Sequence, residues 1–226
     1  MLSLYIANKN YSSWSLRPWL LMRQLGISFE EKLVPFGAKN AFRAFSPSGR
    51  VPCLIDGQTV VWDSLAIVEY LAEQFSMVWP AGKVPRAWAR SAAAEMHSGF
   101  ASLRNLCGMN CGLRVRIDPY PVALLEDFAR VDELWNDGFS RFGGPFLAGK
   151  TFSAADAFFA PLAFRMQTYE PNLSELSQQY VTRLLSLPAM QEWYTAALGE
   201  VWRDEEHEAE VRQVGTVLAD LRQTPG

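Results

Sequence analysis

The chain changes texture near residue 76, and that change constrains the fold more than any single motif does. Before it, short β-branched or alternating runs are interleaved with helical patterns. LSLYIA (2–7) predicts a strand, the stretch from about Ser13 to Leu25 a helix stopped by Gly26, and SFEEKLVP (28–35) a second strand. This is a βαβ unit, whose handedness rule makes the two strands parallel with the helix packed across them. After an irregular, partly helical stretch to Phe45 come VPCLID and QTVVW, separated by Asp56-Gly57, which predicts an antiparallel hairpin. DSLAIVEYLAEQF follows, with Leu65, Val68, Leu71, Ala72 and Phe75 at helical spacing and Asp63 or Ser64 as its N-cap.

Beyond residue 76 no segment reads as a strand. SMVWPAGKVP, with two prolines and a glycine, is a linker. Residues 86–116 carry an alanine-rich helical pattern broken by Pro119 and Pro121, residues 122–141 are helical again, and SAADAFFAPLAFR opens a very apolar helix. Shorter helical stretches around 176–186 and 189–202 precede a polar tail. The reading is an α/β unit over 1–76, a linker over 77–85 and an all-helical unit of five or six helices over 86–226.

Composition removes several classes of function. The formal charge of -3 offers no basic surplus for a phosphate backbone, so nucleic acid is not the expected ligand. No apolar run is long enough to span a bilayer and the N-terminus lacks signal-peptide features, which predicts a cytoplasmic protein with no membrane partner. Cys53, Cys107 and Cys111 form no CxxC pair, and His97 and His207 lie far apart in sequence, so neither a disulfide framework nor a metal site is expected. Cys107 and Cys111 stand at i, i+4 in the helical pattern, where two buried thiols are the simpler account and a redox pair the alternative. Arg86 and Arg90 are expected to face either a partner subunit or solvent.

Four features stand apart from this background. Between the first strand and first helix, NKNYSSWSLRPW places Ser12, Ser13 and Ser15 within four residues. Pro52 opens the third strand in GRVPCLID, where a missing N–H is tolerated and a cis bond would turn the preceding backbone outward. Asp63-Ser64 opens the third helix, and Ser153 with Asp156 has the S-x-x-D spacing of a capping box.

Taken in order, the βαβ–ββα unit, the serines after its first strand, Val51-Pro52, Asp63-Ser64, a Pro/Gly linker and an all-helical unit with a Ser-x-x-Asp box resemble the cytosolic glutathione transferases over essentially the whole chain. The serine-rich entry to the first helix is most similar to the serine-type branch that includes the zeta class, whose members carry Ser-Ser-Cys there. Here the residues are Ser12-Ser13-Trp14. The tryptophan departs from that pattern and weakens any carry-over of zeta-specific activity such as isomerising maleylacetoacetate.

The resemblance implies a thioredoxin-like N-terminal domain that binds glutathione as co-substrate, with no metal, and a homodimer. It implies that the Val51 backbone, exposed by Pro52, pairs with the cysteinyl part of glutathione like an added strand. Asp63 would then accept from the γ-glutamyl ammonium while Ser64 and the helix N–H groups donate to its carboxylate. Arg50 or Lys39 would meet the glycyl carboxylate. A serine hydroxyl would donate to the thiol sulfur, with Ser12 at the family's catalytic position, Ser13 the alternative and Ser15 the helix cap. Tyr11, Trp14, Arg104, Cys107 and Met109 would wall the site of a small hydrophobic electrophile.

A free thiol, with a pKa of about 8.5, is only a few per cent thiolate at neutral pH. One charge-assisted hydrogen bond of roughly 1.5–3 kcal/mol plus a helix-dipole contribution is the right size to lower it by about two units. The serine then stays protonated and the nucleophile is the sulfur. Conjugation in detoxification, glutathione-dependent isomerisation of a maleylacetoacetate-type substrate, disulfide reduction and a non-enzymatic interaction module all fit this scaffold.

Overall fold

The structure is a computed structural model and describes residues 1–37 and 40–223. Its N-terminal part runs β1 (Leu2–Ile6), α1 (Ser13–Gln24), β2 (Phe29–Leu33), a short 3-10 helix (Ala41–Ala44), β3 (Cys53–Asp56), β4 (Thr59–Trp62) and α2 (Ser64–Gln74). The sheet order is β2-β1-β3-β4, with β1 parallel to β2 and antiparallel to β3, and β3 antiparallel to β4. Alternation in β1 turns Leu2, Leu4 and Ile6 into the core. Gly57 makes the β3–β4 turn at φ +59°, and Gly26 ends α1 at φ +68°, both in the left-handed region where glycine costs least. This is the thioredoxin-like arrangement expected from the βαβ–ββα order.

The remainder is α3 (Lys83–Ser98), α4 (Ala101–Leu106), β5 (Leu113–Arg116), α5 (Val122–Phe142), α6 (Ala154–Tyr169), α7 (Glu175–Ser186), α8 (Pro188–Leu198), α9 (Glu205–Val214) and β6 (Thr216–Asp220). α6 is apolar nearly all round, as a helix at the centre of a bundle must be, and packs against α1, α3 and α7. One continuous apolar core runs from β1 and α1 through α6 to α8. The box at the start of α6 is complete: Ser153 and Asp156 satisfy each other's backbone N–H groups, and the buried Asp156 carboxylate also accepts from Leu147 N (3.0 Å) and Tyr180 Oη (2.9 Å).

Two expectations for this half change. β5 and β6 pair antiparallel, Leu113 opposite Asp220, where the sequence reading had a helix and a polar tail. Each strand is short, and its partner lies about a hundred residues away, so no local period announces it. Second, the helical pattern over 86–116 breaks at Gly99 and ends at Leu106, so Cys107 and Cys111 do not share a helical face; both thiols are buried and free. Arg90 is exposed and Arg86 half-buried, and both have partners in their own chain. Arg86 donates to the Ala81 carbonyl at 2.9 Å, and Arg90 pairs with Glu69 at 3.3 Å.

Candidate functional site

The loop between β1 and α1 is fixed from the helical half. Lys9 N and Asn10 N both donate to the buried Glu200 carboxylate (2.6 and 3.2 Å), Trp193 Nε1 donates to Lys9 O (2.8 Å), and Asn10 Nδ2 donates to Asn110 Oδ1 (3.0 Å). The backbone then turns through Tyr11 N and Ser12 N, which both donate to Asn8 O. Residues distant in sequence therefore position the serines before α1 begins.

Ser12, and not Ser15, occupies the N-cap position of α1, and its side chain makes no capping bond. Its hydroxyl instead meets Ser15 Oγ at 2.7 Å, and Ser15 Oγ accepts from Ala7 N at 3.3 Å. Ser15 lies inside the helix because Ser12 O already accepts from Leu16 N. Ser13 Oγ accepts from Arg165 Nη2 at 3.4 Å. Tyr11 Oη donates to Glu208 at 2.7 Å; burial and that bond push its phenol well above the usual range and commit its proton.

On the facing side the Val51–Pro52 peptide is cis and leads into β3. Asp63 caps α2 by accepting from Leu65 N at 2.8 Å, at φ +75°, and its other oxygen lies 3.7 Å from His97 Nε2. Burial lowers the His97 imidazole below its usual range, against the opposing pull of Asp63. Ser64 Oγ is buried with no hydrogen-bond partner among the described residues.

These groups line two adjoining cavities. One, of about 440 Å³, is bounded by Trp14, Ser48, Arg50, Val51, Pro52, Trp62, Asp63, Ser64 and His97. The other, of about 350 Å³, takes in Tyr11, Ser12, Ser13, Phe36, Phe42, Arg104, Met109, Arg165, His207 and Glu210. Trp14, Arg50 and Val51 belong to both, so the two form one cleft. Both volumes fall within the range of small-molecule sites. A larger hollow of about 700 Å³ between α5 and α7 contains none of the expected groups.

Family models match both halves of the chain: glutathione S-transferase, N-terminal domain, over residues 11–74, and glutathione S-transferase, C-terminal domain, over residues 86–196. The chain belongs to the glutathione S-transferase family. Glutathione S-transferase 1 of Dianthus caryophyllus is 28% identical over 198 residues, covering 80% of this chain and 87% of that one. The dichloromethane dehalogenase of Methylorubrum extorquens is 37% identical over 59 residues, a match that spans 24% of this chain and only 20% of the dehalogenase. A glutathione transferase homologue from Burkholderia, solved with bound glutathione, shares the fold: TM-score 0.65, 22% identity, 87% of this chain and 97% of that one.

Within this glutathione S-transferase family member, Cys107 is the one expected pocket residue that lines neither cavity. It is fully buried, and desolvation pushes its thiol up to about 12. Lys39 lies outside the described residues. The cleft also holds groups that the sequence reading passed over. Arg165 did leave a signal, as a lone cation inside the apolar run of α6. His207 and Glu210 come from α9, hidden in the polar tail, while Phe36 and Phe42 come from the irregular connector. Among the described residues no helix is long and apolar enough to cross a membrane.

Proposed function

We propose that this chain binds glutathione in the cavity along Val51, Asp63 and Ser64 and directs its thiolate at a small electrophile in the adjoining one, with the Ser12 hydroxyl stabilising the sulfur. The observation that carries the reading is the continuity of the cleft: the serine loop, the cis Val51–Pro52 edge and the α2 N-terminus border the same space.

Each group has chemistry to spare for the tripeptide. The Val51 backbone lies beside the unpaired run before β3 and can pair with an extended ligand. The Ser64 hydroxyl lacks a partner, and a ligand carboxylate at the α2 N-terminus would accept from it and from the helix N–H groups. Asp63 spends one oxygen on the cap and keeps the other for an ammonium. Arg50 is the cation for the glycyl carboxylate. The Ser12 side chain is free of capping duty; its hydroxyl donates to Ser15 Oγ, which also accepts from Ala7 N–H, and a bound thiolate is the stronger acceptor to which that hydroxyl would turn. In this reading the protein works in the cytoplasm as a homodimer of the serine-type branch.

The experiment is calorimetric titration with glutathione followed by turnover of a haloaromatic, a maleyl compound and a small disulfide, which separates conjugation from isomerisation and reduction. No binding of glutathione would reject the reading in favour of an interaction module. Asp63→Asn isolates one contact. Asparagine caps a helix about as well as aspartate, so the melting temperature is expected to hold. Removing the charge from a half-exposed ammonium site weakens glutathione binding by about 1 kcal/mol, roughly fivefold. Unchanged affinity would make Asp63 a cap only.

A further inference from the structure

The cleft carries more positive charge than glutathione needs. Arg165 is buried in α6, and its Nε has no partner among the described residues; its recorded hydrogen bond goes to a neutral hydroxyl, Ser13 Oγ. Arg104, on α4, donates to the Met96, His97 and Gly99 carbonyls, where the C-terminal end of α3 offsets part of its charge without supplying a carboxylate. Arg17, one turn beyond Ser13 on α1, is 1% exposed with Nε and Nη1 unpartnered. It lies over the Trp14 ring at 4.1 Å and over Phe158 at 4.9 Å, and Arg104 lies over the same Trp14 ring at 4.8 Å. Trp14, where the serine-type pattern has cysteine, is thus the aromatic platform between two guanidiniums.

None of the three arginines forms an ion pair with a carboxylate among the described residues. They lie near enough to repel one another, and burial with that repulsion lowers Arg17 and brings Arg165 down to about 10. Asp63 acts on Arg17 and Asp127 on Arg104 from a distance, and Glu210 on the far wall pairs with none of them. His207 is engaged with Asp204 at 2.6 Å. Buried cations without counter-charge are costly, and an anion that enters between them removes that cost. The same cavity presents four aromatic side chains: Tyr11, Trp14, Phe36 and Phe42.

Resting on the transferase reading, we propose that the electrophile is an aryl carboxylate whose carboxylate is held by Arg165 and Arg104 while its ring lies against the aromatic wall. Guanidinium binds carboxylate through two parallel N–H donors, a geometry that a neutral amide cannot return. The expected electrophile is therefore charged, in contrast to the purely hydrophobic one that the family resemblance implies. For a chloronitrobenzoate with chlorine para to the carboxylate, the thiolate sulfur attacks the chlorine-bearing carbon. The C–S bond forms, chloride leaves with the C–Cl electron pair, and the thiol proton goes to solvent.

The test separates recognition from turnover. Calorimetry on the glutathione-loaded protein compares unreactive meta-nitrobenzoate with meta-nitrobenzamide. The benzoate is expected to bind at least about tenfold tighter, with the ratio falling toward one in Arg165→Met and partly restored in Arg165→Lys. A ratio near one in the unmodified protein overturns the proposal whatever the variants do. An unchanged ratio in a folded Arg165→Met, checked by circular dichroism, also overturns the assignment, and Arg104→Gln provides the same readout should Arg165→Met not fold. Turnover of the chloronitrobenzoate and its amide is measured alongside. Selective benzoate binding with no conjugation of either compound would reject the transferase reading and leave the anion site standing.

Discussion

Ser12→Ala is expected to lower kcat/KM for conjugation roughly 10- to 150-fold while leaving glutathione affinity within about twofold. The size follows from the one interaction removed, a hydroxyl donating to a thiolate, at about 1.5–3 kcal/mol. The same energy raises the bound thiol's pKa by about one to two units. Stabilising the anion lowers the thiol pKa, so deleting the donor moves the ascending limb of the pH–rate profile to higher pH. The deficit therefore shrinks at alkaline pH, where the thiol ionises unaided. Ultraviolet thiolate absorbance of the binary complex reads the same shift without turnover. Ser13→Ala is the control: its oxygen accepts from Arg165, so its loss disturbs the electrophile side of the cleft more than the sulfur. Ser15→Ala is expected to fall between the two, because Ser15 holds Ser12 at 2.7 Å and is itself anchored by Ala7 N–H. An unshifted profile in Ser12→Ala would take Ser12 out of the mechanism, and a shift in Ser13→Ala alone would transfer the role.

The thioredoxin-like half was legible because its information is local. Period-two alternation in LSLYI, the glycine at the β3–β4 turn and the Asp63 cap each act within a few residues, and each forms where the pattern places it. The order of elements then left few topologies open. What stayed hidden depends on contacts across the chain. The serine loop is held by Glu200, Trp193 and Asn110, which no spacing rule connects to residues 9–12. β5 and β6 are strands only because each has the other, and Gly215 is needed beside them because a Cβ there would lie 2.6 Å from Arg116 O. The helix begins at Ser13 as its pattern predicts, but the turn at Asn8 puts Ser12 at the N-cap, so Ser15, expected to be the cap, lies inside the helix and supports Ser12. Arg165 was visible as an oddity in an apolar helix, but the meaning of that oddity required knowing that Arg104 and Arg17 converge on it.

Asp156→Ala is expected to destabilise the fold by about 3–5 kcal/mol, the scale of breaking a buried polar network by removing one partner. The carboxylate is fully buried and accepts from Leu147 N, Ser153 N, Ser153 Oγ and Tyr180 Oη, all between 2.9 and 3.2 Å. Burial raises its pKa, and those four donors oppose the rise. Alanine leaves a backbone N–H at each end of the 147–153 connection and a phenol in the core without acceptors, and each orphaned donor costs about 1–3 kcal/mol. For a chain of this length 1 kcal/mol corresponds to about 2–4 °C, so the melting temperature falls by roughly 6–20 °C. Asp156→Asn keeps one acceptor oxygen but points an amide at one of the donors, and belongs between wild type and alanine. Ser153→Ala removes the hydroxyl cap alone and costs about 1 kcal/mol. That ordering distinguishes a network centred on Asp156 from an ordinary N-cap, in which Ser153→Ala and Asp156→Ala would cost about the same. Because α6 carries Arg165 and packs against α1, a loosened Asp156 variant is also expected to lose catalytic efficiency at temperatures below its unfolding transition. Equal efficiency up to the transition would mean that the cap stabilises the helix without helping to position the cleft.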